Sequence, residues 1–79
     1  MLTLKIISPE HIVFNGLIDR ILVPGEKGDF EILTNHAPII STLVGGKVVY
    51  TVNGEQQELD IHGGFVEVQK NKVNLCVDI

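Results

Sequence analysis

Lys47-Val48-Val49-Tyr50-Thr51-Val52-Asn53-Gly54-Glu55-Gln56-Gln57-Glu58-Leu59-Asp60-Ile61 reads as a β-hairpin. Asn53-Gly54 is the dipeptide best suited to a two-residue type I′ loop, whose central residues both need φ > 0. That loop sets the register of its two arms. In the second arm Leu59 and Ile61 share a face while Gln56, Glu58 and Asp60 point the other way, so one side packs and the other is wet.

Period-two alternation continues outward from this hairpin, with turn formers about every ten residues, the spacing of a β-sandwich or barrel. Towards the carboxyl end, Phe65–Gln69 and Lys72–Val77 form a second hairpin across Lys70-Asn71, with Val66 and Val68 opposite Val73, Leu75 and Val77. Towards the amino end, Leu2, Leu4 and Ile6 alternate with Thr3 and Lys5 up to Ser8-Pro9, where proline withdraws a ladder donor. A short strand, His11–Phe14, is expected to turn at Asn15-Gly16, and Leu17–Val23 to form another that stops at Pro24-Gly25. Gly25, Gly28, Gly45, Gly46, Gly54, Gly63 and Gly64 are all expected between strands, with Gly63-Gly64 a bend or a close backbone approach beside Phe65. No segment has a helical period. The expected fold is all-β: one domain, residues 1–79, built as a flattened antiparallel sandwich of two sheets, or one sheet rolled into a flattened barrel, with about eight to ten short strands.

Composition excludes several function classes. Although 44% of the 79 residues are apolar, they come in short stretches broken by Lys5, Glu10, Asp19, Glu26 and Asp60, so none is long enough to span a bilayer. Met1–Glu10 has no basic patch followed by an apolar stretch, which reads against a secretory signal. With Cys76 as the lone cysteine there is no internal disulfide, and the chain reads as cytosolic. A net charge of −4 with scattered lysines gives no basic stripe for nucleic acid. A domain this small, without disulfide or structural metal, draws extra stability most readily from a partner surface.

Catalytic machinery is not legible. His11, His36 and His62 are far apart in sequence and fit hydrogen-bonding surface or core roles. Cys76 lies in an apolar strand, as an inert buried thiol would. Gly25-Glu26-Lys27-Gly28 lacks the spacing and following helix of a phosphate loop and reads as a tight surface loop. Thr34-Asn35-His36-Ala37-Pro38-Ile39-Ile40 is more informative, since its proline blocks edge pairing beside several apolar residues. Either it packs on the domain's own core or it is a contact patch for another protein. A free-standing module binding a small ligand in a groove between sheets is the alternative function, disfavoured by the scarcity of aromatic residues; a small hydrolase using His36 or His62 ranks below it.

Four motifs in order resemble the amino-terminal domain of the F-type ATP synthase ε subunit family. They are Ile7-Ser8-Pro9-Glu10 followed by Val13-Phe14-Asn15-Gly16; Val23-Pro24-Gly25-Glu26-Lys27-Gly28-Asp29-Phe30; His36-Ala37-Pro38; and His62-Gly63-Gly64-Phe65-Val66-Glu67-Val68. The departures are Glu31 in place of a usual glycine, Thr34-Asn35 in place of Pro-Gly, and His62 in place of serine. Asn35 still tolerates the left-handed conformation that glycine supplies. Typical members continue into a pair of helices, for which these 79 residues hold no counterpart. The resemblance implies a non-catalytic rotor subunit joining the γ shaft to the membrane c-ring, peripheral on the cytoplasmic face of the inner membrane and soluble when isolated. It implies a shaft contact through Ser8, His36, Ala37, Pro38, Ile39 and Ser41, and a c-ring contact through Gly28 and Asp29. No cofactor, metal or membrane insertion is implied. Tight ATP binding, which the family associates with the helical pair, is not expected either.

Overall fold

The computed structural model describes all residues, 1–79, and contains strands but no helix. The strands are β1 (Leu2–Ile7), β2 (Ile12–Ile18), β3 (Arg20–Gly25), β4 (Gly28–Ile32), β5 (Ile39–Val52), β6 (Glu55–Gln69) and β7 (Lys72–Asp78). They make one sheet in the order β2-β1-β7-β6-β5-β3-β4, which folds over on itself as a β-sandwich. All pairings are antiparallel except β1 with β7, which run parallel. One layer holds β2, β1, β7, the second half of β6 and the first half of β5. The other holds the remaining halves of β6 and β5 with β3 and β4.

Seven strands stand where eight to ten were expected, because two glycine pairs lie inside long strands. Gly45-Gly46 belongs to the 14-residue β5 and Gly63-Gly64 to the 15-residue β6. Cross-strand register is unbroken through them, from Ile39↔Val68 to Val52↔Glu55. What changes is the face. On β5 the inward residues switch from Ile39 and Leu43 to Val48 and Tyr50; on β6 they switch from Leu59 and Ile61 to Val66 and Val68. Odd and even numbers exchange roles on both strands together, so the ribbon turns over as a unit while keeping its ladder. Gly63 and Gly64 have φ of 157° and 148°, values that side chains other than hydrogen disfavour. A Cβ on Gly64 would strike the Cys76 carbonyl and lie 2.8 Å from the Val77 Cα. The close approach expected beside Phe65 is therefore present, within a strand instead of between two.

Two further boundaries move. Asn15-Gly16 is internal to β2, and the break falls at Asp19, so Leu17–Val23 is divided between β2 and β3. Gly16 leaves room for packing: a Cβ there would sit 3.3 Å from the Phe14 ring, which meets Tyr50 across the sandwich with centroids 4.8 Å apart. At the corner, the Asp19 N–H donates to the Thr51 carbonyl at 2.8 Å. Its Oδ2 accepts from the Gly54 N–H at 3.2 Å, tying this corner to the β5–β6 turn. β3 continues to Gly25, with Glu26 and Lys27 as the turn into β4. Buried Pro24 packs over Gly46, and there β3 leaves its pairing with β5, between Leu22↔Val49 and Gly25↔Leu43.

Other expectations hold. Asn53 and Gly54 both have positive φ, 51° and 80°, as a type I′ loop demands. Lys70 and Asn71 close the second hairpin at φ 51° and 61°. Val66, Val68, Val73, Leu75 and Val77 are buried, and they join β1, Ile18, Ile21, Val23 and Ile32 in one continuous core. No buried side-chain nitrogen or oxygen lacks a hydrogen-bond partner.

Gly54→Val places a β-branched residue at φ 80° and is expected to lower unfolding stability by about 1–3 kcal/mol in urea melts. Gly64→Ala adds a collision with backbone to an unfavourable φ, so the expected loss exceeds about 3 kcal/mol. A Gly64→Ala variant as stable as the parent would disprove the turned-ribbon geometry.

Candidate functional site

The segment between β4 and β5 has no ladder of its own. Residues Leu33–Pro38 cross from one strand to the next with Asn35 at φ 65°, the left-handed conformation expected of it. The His36 N–H donates to the Leu33 carbonyl at 3.1 Å, and His36 Nδ1 donates to the Ala37 carbonyl at 2.7 Å. His36 is half-buried, whereas Ala37 and Pro38 are exposed.

From Ile39 onward, alternation on β5 decides what is presented. Ile39, opposite Val68, is half-buried and packs against the core, and Ser41, opposite Val66, is half-buried with its hydroxyl donating to the Thr42 carbonyl at 3.2 Å. Ile40 points the other way and is 74% exposed. Across the outer face the register aligns Thr42, Phe65, Cys76 and Ile7 in one row, with Val44 and Ile40 to either side of Thr42 on β5. Phe65 and Val44 are exposed at 48% and 43%. Ile40, Val44 and Phe65 thus form an outward apolar strip that sequence reasoning did not single out. One signal was available: once Val66 and Val68 face inward, Phe65 must face outward.

The expected shaft residues lie on this layer, though not side by side. Ser8 follows Ile7 at one end and, with Pro9, Phe65 and Cys76, lines a depression of about 340 Å³. His36, Ala37 and Pro38 lie at the other end, near the β6–β7 turn. The outer row through Phe65 connects the two. Gly28, expected to face the ring, comes close to Ile39 and Ser41 along a second depression that also includes Glu26, Lys27 and Ile40. The Glu26 N–H donates to the Thr42 carbonyl at 3.0 Å and pins that loop to β5. Asp29, exposed, pairs with Pro24 on the far side of the turn.

Nothing in these contacts assembles a catalytic group. Ser8 Oγ and His11 Nδ1 are 3.4 Å apart and exposed at the β1–β2 connection, and the other histidines lie on separate elements. No three His, Cys, Asp or Glu residues converge as metal ligands. No helix is long and apolar enough to cross a membrane. Charge concentrates on the other layer, where Lys47 meets Glu58 at 3.2 Å and Asp60 at 4.0 Å. The hydrogen bond that Lys47 Nζ donates to Glu58, then the charges of Glu58 and Asp60, raise the pKa of the Lys47 ammonium above its ordinary value.

Over residues 1–79 the sequence matches the family described as the β-sandwich domain of the ATP synthase delta/epsilon chain. The chain belongs to that family. The ATP synthase epsilon chain of Desulfitobacterium hafniense is 43% identical over 76 residues, covering 96% of this chain and 58% of that protein. That of Bradyrhizobium sp. is 38% identical over 74 residues, covering 94% and 55%. The Leptospira borgpetersenii epsilon chain is 39% identical, covering 98% and 61%. The chain therefore spans from 55% to 61% of the length of these relatives. In fold it is similar to a chain of the Euglena gracilis mitochondrial ATP synthase OSCP/F1/c-ring structure, with a TM-score of 0.91 and 18% identity, covering 96% of this chain and 49% of that one. It is also similar to a chain of the Tetrahymena thermophila mitochondrial ATP synthase central stalk/c-ring, with a TM-score of 0.84 and 16% identity, covering 99% and 63%.

Burial separates two adjacent isoleucines. Ile39→Asp forces a carboxylate against the core and is expected to cost about 2–3 kcal/mol. Ile40→Asp, already in water, should stay within about 0.5 kcal/mol of the parent. Equal losses in denaturant melts would place the strip on the wrong face of β5.

Proposed function

We propose that this domain is a non-catalytic coupling element in the rotor of an F-type ATP synthase, docked to the γ shaft through one surface and to the polar loops of the c-ring through another. The observation that carries the proposal is the exposed apolar strip of Ile40, Val44 and Phe65, joined to Pro38 at one end and to Ser8 and Pro9 at the other, on a chain of the ATP synthase delta/epsilon family. Such a patch in water is a liability for a lone domain and an asset on docking. Ser8, His36, Ala37, Pro38, Ile39 and Ser41 belong to the shaft side in this reading, with Ile39 and Ser41 supporting it from beneath and Ile40 making the contact. Gly28 and Asp29 belong to the ring side. Ion-driven rotation of the ring, by protons or sodium, reaches the shaft through the body between them. The domain then acts as a peripheral part of the complex on the cytoplasmic face of the inner membrane. Torque transfer asks for stiffness and two patches, with no nucleophile, metal or nucleotide.

Co-purification with tagged γ and with c-ring tests this assignment. A charge buried unpaired at the shaft interface is costly, by several kcal/mol when fully desolvated. Ile40→Asp should therefore leave a folded domain that no longer retains γ. Losing an exposed rim charge changes affinity by under about 1 kcal/mol and alters mainly its salt dependence. Asp29→Ala should accordingly keep γ and weaken only ring attachment. Normal retention of γ by folded Ile40→Asp would refute the shaft assignment.

A further inference from the structure

Within the Leu33–Pro38 loop, the His36 hydrogen bonds set local shape but do not attach the loop to the sheet. Its hydrogen bonds to the rest of the molecule come from a residue 36 positions away. Asn71 Oδ1 accepts from the Asn35 backbone N–H at 2.6 Å, and Asn71 Nδ2 donates to Asn35 Oδ1 at 3.3 Å. Asn71 is itself firmly placed. It is half-buried in the β6–β7 turn at φ 61°, and its carbonyl accepts from the Thr3 N–H at 2.9 Å, which ties the turn to β1. A tight turn with positive φ at this position would be satisfied by glycine. Glycine could not supply the amide that reaches Asn35.

We propose that Asn71 is a positioning residue: its amide clamps Asn35 and holds His36-Ala37-Pro38 in one presented conformation. The docking consequence rests on reading that loop as a shaft contact; the clamp itself is measurable in the isolated domain. A loop ordered beforehand does not lose its freedom on association, so preorganisation raises affinity without adding a contact. The shorter of the two bonds uses the Asn35 backbone, so the side chain at position 35 matters less than the one at 71.

Amide hydrogen exchange on the 79-residue chain, with calorimetric titration of purified γ subunit, tests both steps. Asn71→Gly keeps the left-handed turn and removes the amide; exchange at the Asn35 amide should quicken about tenfold while β6 and β7 keep their protection. Affinity for γ should fall about three- to tenfold. Asn71→Asp retains the acceptor and Asn35→Gly retains the donor, so both should stay within about twofold of the parent on both readouts. Unchanged exchange at Asn35 in Asn71→Gly overturns the clamp, whatever γ does. Lost protection throughout β6 and β7 would make Asn71 a residue of general stability and overturn the positioning role, as would quickened exchange with unaltered γ affinity. A parent chain that fails to bind γ refutes the rotor reading and the positioning role together, and the exchange comparison then decides the clamp alone.

Discussion

The β5–β6 ribbon must turn its core face over without shifting its register, and the sandwich depends on that. Register runs unbroken from Ile39↔Val68 to Val52↔Glu55, yet Leu43 and Val66 face the core on one side of the crossing and Val48 and Ile61 on the other. A side chain at Gly64 would collide with the Cys76 carbonyl, and one at Gly45 or Gly46 would be tight against the His62 carbonyl at 3.2 Å or Pro24 at 3.1 Å. Glycine is the residue that lets backbones approach that closely and adopts the φ required. Once the ribbon turns, the aliphatic faces of both layers close on each other in one core, with Tyr50 of β5 meeting Phe14 of β2. Pro24, lacking a ladder donor, fits where β3 loses its partner beside Gly46.

The legible and illegible parts of this fold divide along a physical line. Turns whose geometry is set by their own two residues were readable: Asn53-Gly54 carries its φ requirement in its composition, and Lys70-Asn71 was bracketed by alternating valines. Features set by residues far away in sequence were not. Gly45-Gly46 and Gly63-Gly64 look like punctuation along the chain, because nothing local says that two glycine pairs lie close together on neighbouring strands, with Gly63 opposite Val44 and Gly46 opposite Ile61, and bend a continuous ribbon. Asn15-Gly16 carries a turn signature, but Gly16 makes room for the Phe14 ring within a strand. Asp19, with no strong turn signature, makes the corner because Thr51 and Gly54 satisfy its backbone and carboxylate from across the domain.

The same division applies to the candidate surface. The motif resemblance points to the His36–Ile39 region, of which His36–Pro38 lies outside any ladder and Ile39 opens β5. Alternation then sorts its neighbours: Ile39 and Ser41 face the same way as Val68 and Val66, while Ile40 faces water. Proximity of Gly28 to Ser41, and the tie between Asn35 and Asn71, arise from contacts between residues at least 13 positions apart, which no local spacing reveals.

Stiffness follows from the way the layers are joined. Of 49 backbone hydrogen bonds, 44 lie within strands, and β5 and β6 belong to both layers without an intervening loop. A force applied at Ile40 or Phe65 on the outer face of one layer is therefore carried along the same two strands into the other layer, through bonds that would have to break together. Exposed ion pairs such as Lys47 with Glu58 add little to such a path, since water screens them and their side chains stay free to move. The turn before Gly28 and the loop carrying His36 are each tied to a strand or turn, by Glu26 to Thr42 and by Asn35 to Asn71. Under the proposed role the His36 loop is the compliant element of the path, because it hangs on the two hydrogen bonds between Asn35 and Asn71, whereas the β3–β4 turn is closed by the Gly25↔Gly28 pair of its own ladder. Play between ring and shaft would then arise at the Asn35–Asn71 tie before it arises in the sandwich.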